Sequence, residues 1–275
     1  MLKAIKYSLL LAFAANTPAI SCAETTKGVK TVKVDDTKVT WIQDNKDNKL
    51  MPASLFGKEA AGLVDSLGVQ SGIQSSMSAF WVETGGEKIL FDTGLGSANS
   101  QLLPHLKSLG IEAKDVELIY LTHFHGDHIG GMMKDGMAVF PNAEVYASRI
   151  EYEAWMKMPS EKNAQIRATM EAYANRLHLI EFGDTLPGGV VAMDAIGHTP
   201  GHTAYRAGRL LIIGDLIHGA ELQLRNPNIS ASYDMDKPTA VKTRKYYLEY
   251  ARKNNLVIAG MHLPPPGLIS TLNDK

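Results

Sequence analysis

Three imidazoles and a carboxylate, His123, His125, Asp127 and His128, lie within six residues at the end of the apolar run 116–122. Ordinary packing has no use for that density, because polar groups buried at a strand end cost stability unless each finds a partner. Neutral imidazole nitrogen and carboxylate oxygen are ligands for Zn²⁺ and its first-row neighbours, and this spacing can hardly serve one ion alone. The chain therefore needs a fold that can seat two ions side by side and bring further ligands to the same rim.

Three later segments offer such ligands, each at the end of an apolar run: Gly197-His198-Thr199-Pro200-Gly201-His202, Gly214-Asp215-Leu216-Ile217-His218 and Gly260-Met261-His262. Strand ends from separate parts of an α/β chain converge on one edge, where ligand sites gather. Seven of the nine histidines fall in these four places, which leaves His105 and His178 as bystanders. Spacing permits either His198 or His202 to ligate.

The pattern between these segments is that of a mixed α/β domain. Alternation over 31–42 suggests two strands turning at Asp35-Asp36, and 77–82 with 88–92 reads as a hairpin. Strands are expected at 116–122, 143–147, 178–181, 190–195, 203–207, 210–213 and 256–261, and helices at 101–109, 150–156, 161–176 and 239–253. The segment 50–69 reads as either a lid or a helix on the core. No linker rich in Pro, Gly or Ser divides the chain, so one domain is expected over 24–275.

The first 23 residues read as a secretory signal: Lys3 and Lys6 precede a short apolar run, and Ser21-Cys22-Ala23 offers small residues for cleavage. A periplasmic or secreted protein is the expectation, with no stable membrane span in the mature chain; acylation at Cys22, a lipoprotein, is the competing reading. Cys22 is the only cysteine, so the mature chain could form no disulfide. A net charge of −1 gives no basic stripe for nucleic acid, and the basic stretch 237–253 reads as the solvated face of an amphipathic helix.

The run from Thr122 to Gly131, followed by Gly197 to His202, Gly214-Asp215 and a late His262, resembles the metallo-β-lactamase superfamily; Phe91-Asp92-Thr93-Gly94 is similar to its preceding motif. The resemblance covers nearly the whole mature chain and implies an αββα sandwich of two mixed β-sheets with helices outside and a metal site along one edge. It further implies two divalent ions, zinc first, with Mn²⁺, Fe²⁺ or Co²⁺ as alternatives. His123, His125 and His202 would hold one ion, Asp127, His128 and His262 the other, and Asp215 would join them, with Asp92 and His198 behind the ligands, orienting them.

The absence of a ligating cysteine sets aside one group of β-lactamases, and Asp215 argues against those that use only His and Asp without a bridging carboxylate. The resemblance then favours the branch of acyl homoserine lactonases and methyl parathion hydrolase. It extends through Phe140-Pro141-Asn142-Ala143, Glu151 to Trp155 and Leu263 to Gly267. Hydrolysis of a lactone or related ester is expected, with phosphotriester hydrolysis as the alternative, and β-lactam hydrolysis or metal binding without catalysis further off. Asp127, Asp215 and His218 are the catalytic candidates, His218 standing where the well-known lactonases have a tyrosine. Trp155, Phe140 and Met132 are the candidates for an apolar pocket that takes a small-molecule substrate with an apolar portion. Oligomeric state is open, a homodimer among the options.

Overall fold

The computed structural model describes residues 27–270, so the expected leader 1–23 and Cys22 lie outside the described residues. Among the described residues no helix is long and apolar enough to cross a membrane.

The first sheet grows from a half-exposed edge strand to inner strands buried on both faces. Val29–Val34 and Thr37–Gln43 pair in antiparallel register around Asp35, whose φ of 52° closes the two-residue turn. Ser78–Thr84 and Glu87–Phe91 follow; the first reaches two residues beyond the expected 77–82 and the second starts one residue before the expected 88, because Gly85-Gly86, both at positive φ, make the hairpin turn by themselves. Leu118–Tyr120, Glu144–Ser148 and Leu177–Ile180 then add in parallel to complete seven strands. The second sheet has six strands, in the order Thr185–Leu186, Val190–Asp194, Thr203–Ala207, Leu210–Ile212, Val257–Ala259 and Leu268–Ser270; only the pairing of Leu210–Ile212 with Val257–Ala259 is parallel. The last strand and the short pair Lys49–Met51 with Ile73–Ser75 carry too little alternation to be read from sequence.

Three apolar layers make this the expected αββα sandwich. Phe80, Phe91 and Tyr120 of the first sheet meet Ala192, Tyr205 and Ile212 of the second. Outside the first sheet lie Leu102–Ser108, Arg149–Met156 and Ser160–Ala172, through Leu106, Trp155, Ile166 and Met170. Outside the second lies Lys237–Lys253, through Tyr247 and Ala251. The Phe91 ring sits edge-on to Tyr120 and Tyr205, each at 5.4 Å. The Tyr205 hydroxyl donates to the Leu121 carbonyl at 2.8 Å, which fixes the second sheet to the segment entering the histidine cluster. Phe91→Ala should therefore cost about 3–5 kcal/mol, read as a lower urea midpoint at unchanged slope.

The segment 50–69 packs apart from the sandwich. Its 3₁₀ turns and the helix Ala61–Leu67 place Met51, Phe56 and Val64 against Ile73, Leu222, Ile229 and Ala231. Phe56 lies so close to Gly219 that a Cβ there would come within 2.5 Å of the ring, so this small core braces the loop that carries His218.

Candidate functional site

The four ligand-bearing segments meet along one edge of the sandwich. After Glu87–Phe91 the chain turns at Asp92, whose carboxylate accepts the Thr122 N–H at 2.8 Å and the Thr122 hydroxyl at 2.7 Å. Its Oδ2 also lies 2.7 Å from His128 Nδ1, so one carboxylate ties Thr122 to His128. Thr93 fastens the same loop by donating both its N–H and its hydroxyl to the His128 carbonyl at 2.8 Å. Gly130 and Gly131 let the two backbones touch: a Cβ at either would fall 2.1 Å from the Leu95 oxygen or 2.0 Å from that of Thr93.

Four overlapping groups of ligand atoms result among the described residues, two of them including His218, and the two that draw on the 123–128 cluster share no member. His123, His125, His198 and Asp215 form the first, their ligand atoms all within 4.8 Å of one another. His125 Nδ1 lies 3.0 Å from His123 Nε2 and 2.9 Å from His198 Nε2. Asp127, His128 and His262 form the second. Asp215 reaches both: Oδ1 lies 3.2 Å from His128 Nε2, while Oδ2 lies 3.0 Å from His262 Nε2, 3.5 Å from His198 Nε2 and 3.8 Å from His123 Nε2.

One expected ligand is displaced. His202 is fully buried with both ring nitrogens engaged inside the fold, Nδ1 3.1 Å from the Ala195 carbonyl and Nε2 accepting the Asp215 N–H at 3.0 Å. It opens the strand Thr203–Ala207 and packs under Gly214, where a Cβ would lie 2.5 Å from Nε2, so it holds the Asp215 backbone and takes no place among the ligands. His198, expected behind the ligands, takes that place. Its Nδ1 is 3.0 Å from Asp234 Oδ1, the other oxygen of Asp234 accepts from Arg244 at 3.0 Å, and Nε2 is left facing His125. A ligating histidine braced by a carboxylate at its second nitrogen is the usual arrangement at metal sites.

The donor set fits divalent metal ions. Buried His128 Nε2 and Asp215 Oδ1 face each other at 3.2 Å and hydrogen-bond to nothing outside the cluster among the described residues, so both stay aimed into the site. Burial, reinforced by neighbouring imidazoles, holds His123 well below its usual range and brings His125 down to about 3, so both are neutral, the form that ligates. Against the pull of burial, Asp215 and other carboxylates hold His128 well above its usual range and raise His262 to about 10. The carboxylates thus attract positive charge to the second group, charge that a bound cation would supply.

The remaining candidates divide. His218 is 1% exposed and lies in the site, its ring stacked on His262 at 5.3 Å, Nε2 3.3 Å from Asp215 Oδ2, and neither nitrogen hydrogen-bonded among the described residues. Trp155 stands edge-on to His125 at 5.8 Å, but its N–H turns away to Glu151 at 2.6 Å. Met132 and Phe140 do not line the site. Both are fully buried in the core outside the first sheet, where the Tyr173 hydroxyl donates to the Met132 carbonyl at 3.0 Å and accepts the Phe140 N–H at 3.1 Å. His105 and His178 stay outside, at the Gln43 carbonyl and on the surface beside Glu144.

Three residues that support the site were not among the expected site residues, although Glu151 falls in a stretch that carries the resemblance. Asp234 lies in an irregular loop, and Glu151 sits on an ordinary helix. Arg244 belongs to the stretch read as a solvated face, yet it is 1% exposed and donates to the carbonyls of Leu216, Pro227 and Ile229 as well as to Asp234.

Known proteins resemble this chain in sequence and fold. The chain is 32% identical over 114 residues to the probable metallo-hydrolase Rv2300c of Mycobacterium tuberculosis, a match that takes in 36% of this chain and 35% of that protein. Among solved structures, the hydrolase AbOPH of the beta lactamase superfamily is similar with a TM-score of 0.79 at 31% identity, over 90% of this chain and 94% of that one. AidC, a dizinc quorum-quenching lactonase solved with the product N-hexanoyl-L-homoserine, gives 0.80 at 26% identity, over 88% and 93%. Residues 74–262, which contain every member of both ligand groups, match the model of the metallo-beta-lactamase superfamily, and the chain belongs to that superfamily.

Proposed function

We propose that this protein opens lactones of the acyl homoserine type, or closely related esters, and that it does so outside the cytoplasm. The observation that carries the reading is Asp215, one carboxylate within reach of both ligand groups, with His218 beside it, its Nε2 3.3 Å from Asp215 Oδ2 and its Nδ1 without a hydrogen-bond partner among the described residues. The similarity to AidC across 93% of its length supports a lactone over other electrophiles.

Two divalent ions, zinc in this reading, would lower the pKa of a water molecule at the site and polarise the substrate carbonyl. The protein's own residues do the rest. His218, whose ring can present an N–H in either tautomer, donates a hydrogen bond to the substrate's carbonyl oxygen or returns a proton to the leaving alkoxide. Asp127, less buried than Asp215, takes up the proton released as water adds to the ester carbon. Tyr233 and Met235, each 49% exposed, flank the site: the Tyr233 ring is 5.7 Å from His218, and the Met235 N–H donates to the His198 carbonyl. They give the apolar portion of a substrate somewhere to rest, in the place expected of Met132 and Phe140.

Zinc-loaded protein assayed against acyl homoserine lactones of several chain lengths, an aryl phosphotriester and nitrocefin tests the reading. Lactone opening is expected to exceed the other two by at least about a hundredfold in kcat/KM, roughly 2.7 kcal/mol in transition-state binding. Phosphotriester turnover without lactone opening would replace the reading with its alternative, and nitrocefin turnover alone would make the protein a β-lactamase.

A further inference from the structure

We infer that Glu151 is a positioning residue that assembles one of the two metal positions, the one formed by His123, His125 and His198. Glu151 lies in the first turn of Arg149–Met156, is 1% exposed, and its carboxylate collects three N–H groups from three parts of the chain. Oε1 accepts from the Phe124 backbone at 3.1 Å and from the Trp155 indole at 2.6 Å, and Oε2 accepts from the Gly201 backbone at 2.7 Å.

The identity of those donors gives the contact its meaning. Phe124 stands between His123 and His125, and Gly201 closes the turn that begins with His198, so one carboxylate fastens both loops that carry the first ligand group. The approach on the Gly201 side is backbone to backbone, since a Cβ at Gly201 would lie 2.1 Å from the Glu151 nitrogen. Trp155 completes the clamp: its indole N–H anchors Oε1 and its ring abuts His125. Among the described hydrogen bonds of Glu151, none goes to Asp127 or His128 themselves or to the loop carrying His262.

A neutral carboxamide cannot replace this carboxylate. Glu151→Gln keeps the volume, but whichever way the amide turns, one end presents N–H to N–H, and one of the two loops is released. Partners behind metal ligands typically contribute 10- to 100-fold in metal affinity. The position formed by His123, His125 and His198 should lose about that much, while the Asp127, His128 and His262 position keeps its affinity.

Chelator-stripped wild-type protein and Glu151→Gln, titrated with Co²⁺ and followed by visible absorption and equilibrium dialysis, supply the test independently of any substrate. The expected result is two ions of similar affinity in the wild type and one weakened by about 10- to 100-fold in the variant. Unchanged affinity for both ions, or equal loss of both, overturns the assignment. Hydrogen exchange in the metal-free wild type gives a second readout should the variant fail to fold: the Phe124 and Gly201 amides should be protected, and exchange as fast as in open loops would show that the clamp is not made.

Discussion

Asp215→Ala is expected to abolish turnover, lowering kcat/KM by about a thousandfold or more, roughly 4 kcal/mol, and to cost the protein at least one of its two ions. Among the described residues no other carboxylate reaches both ligand groups: Asp127 stands near His128 and His262, and Asp234 is turned to the rear of His198. The fold should survive the change, because the Asp215 backbone is held by His202 and not by its own side chain. Asp215→Asn separates charge from shape; it should retain more metal than the alanine variant and still fall well short of wild type. Metal content measured alongside hydrolysis decides the matter, and activity with two ions retained in the alanine variant would remove Asp215 from between them.

The second large effect separates two histidines four residues apart. His198→Ala should weaken the first metal position and reduce activity by a hundredfold or more, about 2.7 kcal/mol, while the metal-free protein melts close to wild type. His202→Ala should act the other way round. It leaves the Asp215 N–H and the Ala195 carbonyl without their partner and opens a cavity beneath Gly214, a combined cost of about 2–4 kcal/mol in stability, visible as a lower melting temperature before any metal is added. Asp234→Asn should follow His198→Ala more mildly, because Asp234 fixes which nitrogen of His198 faces the site. Loss of an ion in His202→Ala with melting unchanged would reverse the assignment.

The difference between those two histidines marks where the sequence stops being legible. Ligand types crowded at strand ends are visible because few other structures place such residues there, and the strands Thr37–Gln43 and Ser78–Thr84 are visible as short apolar runs bounded by turn residues, both of their faces being buried over most of their length. His198 and His202, in contrast, share the same local pattern, each preceded by glycine and followed by threonine. What separates them is which nitrogens are already taken, and the partners come from Ala195, Asp215 and Asp234, the last of them 36 residues from His198.

Met132 and Phe140 were misplaced for a related reason. Nearness in sequence to the cluster suggests nearness to the site, but the chain leaves Gly131 for the outer face of the first sheet and carries them into the core. Glu151 and Arg244 act through backbone groups of distant loops, and such contacts leave no pattern in their own helices.

Anomalous scattering from a zinc-loaded crystal tests the central claim most directly. Two ions are expected, Asp215 contacting both, with His198 in the ligand sphere beside His123 and His125, and with His202 outside it between Ala195 and the Asp215 N–H. A single ion, or His202 on the metal with His198 turned away, would contradict it.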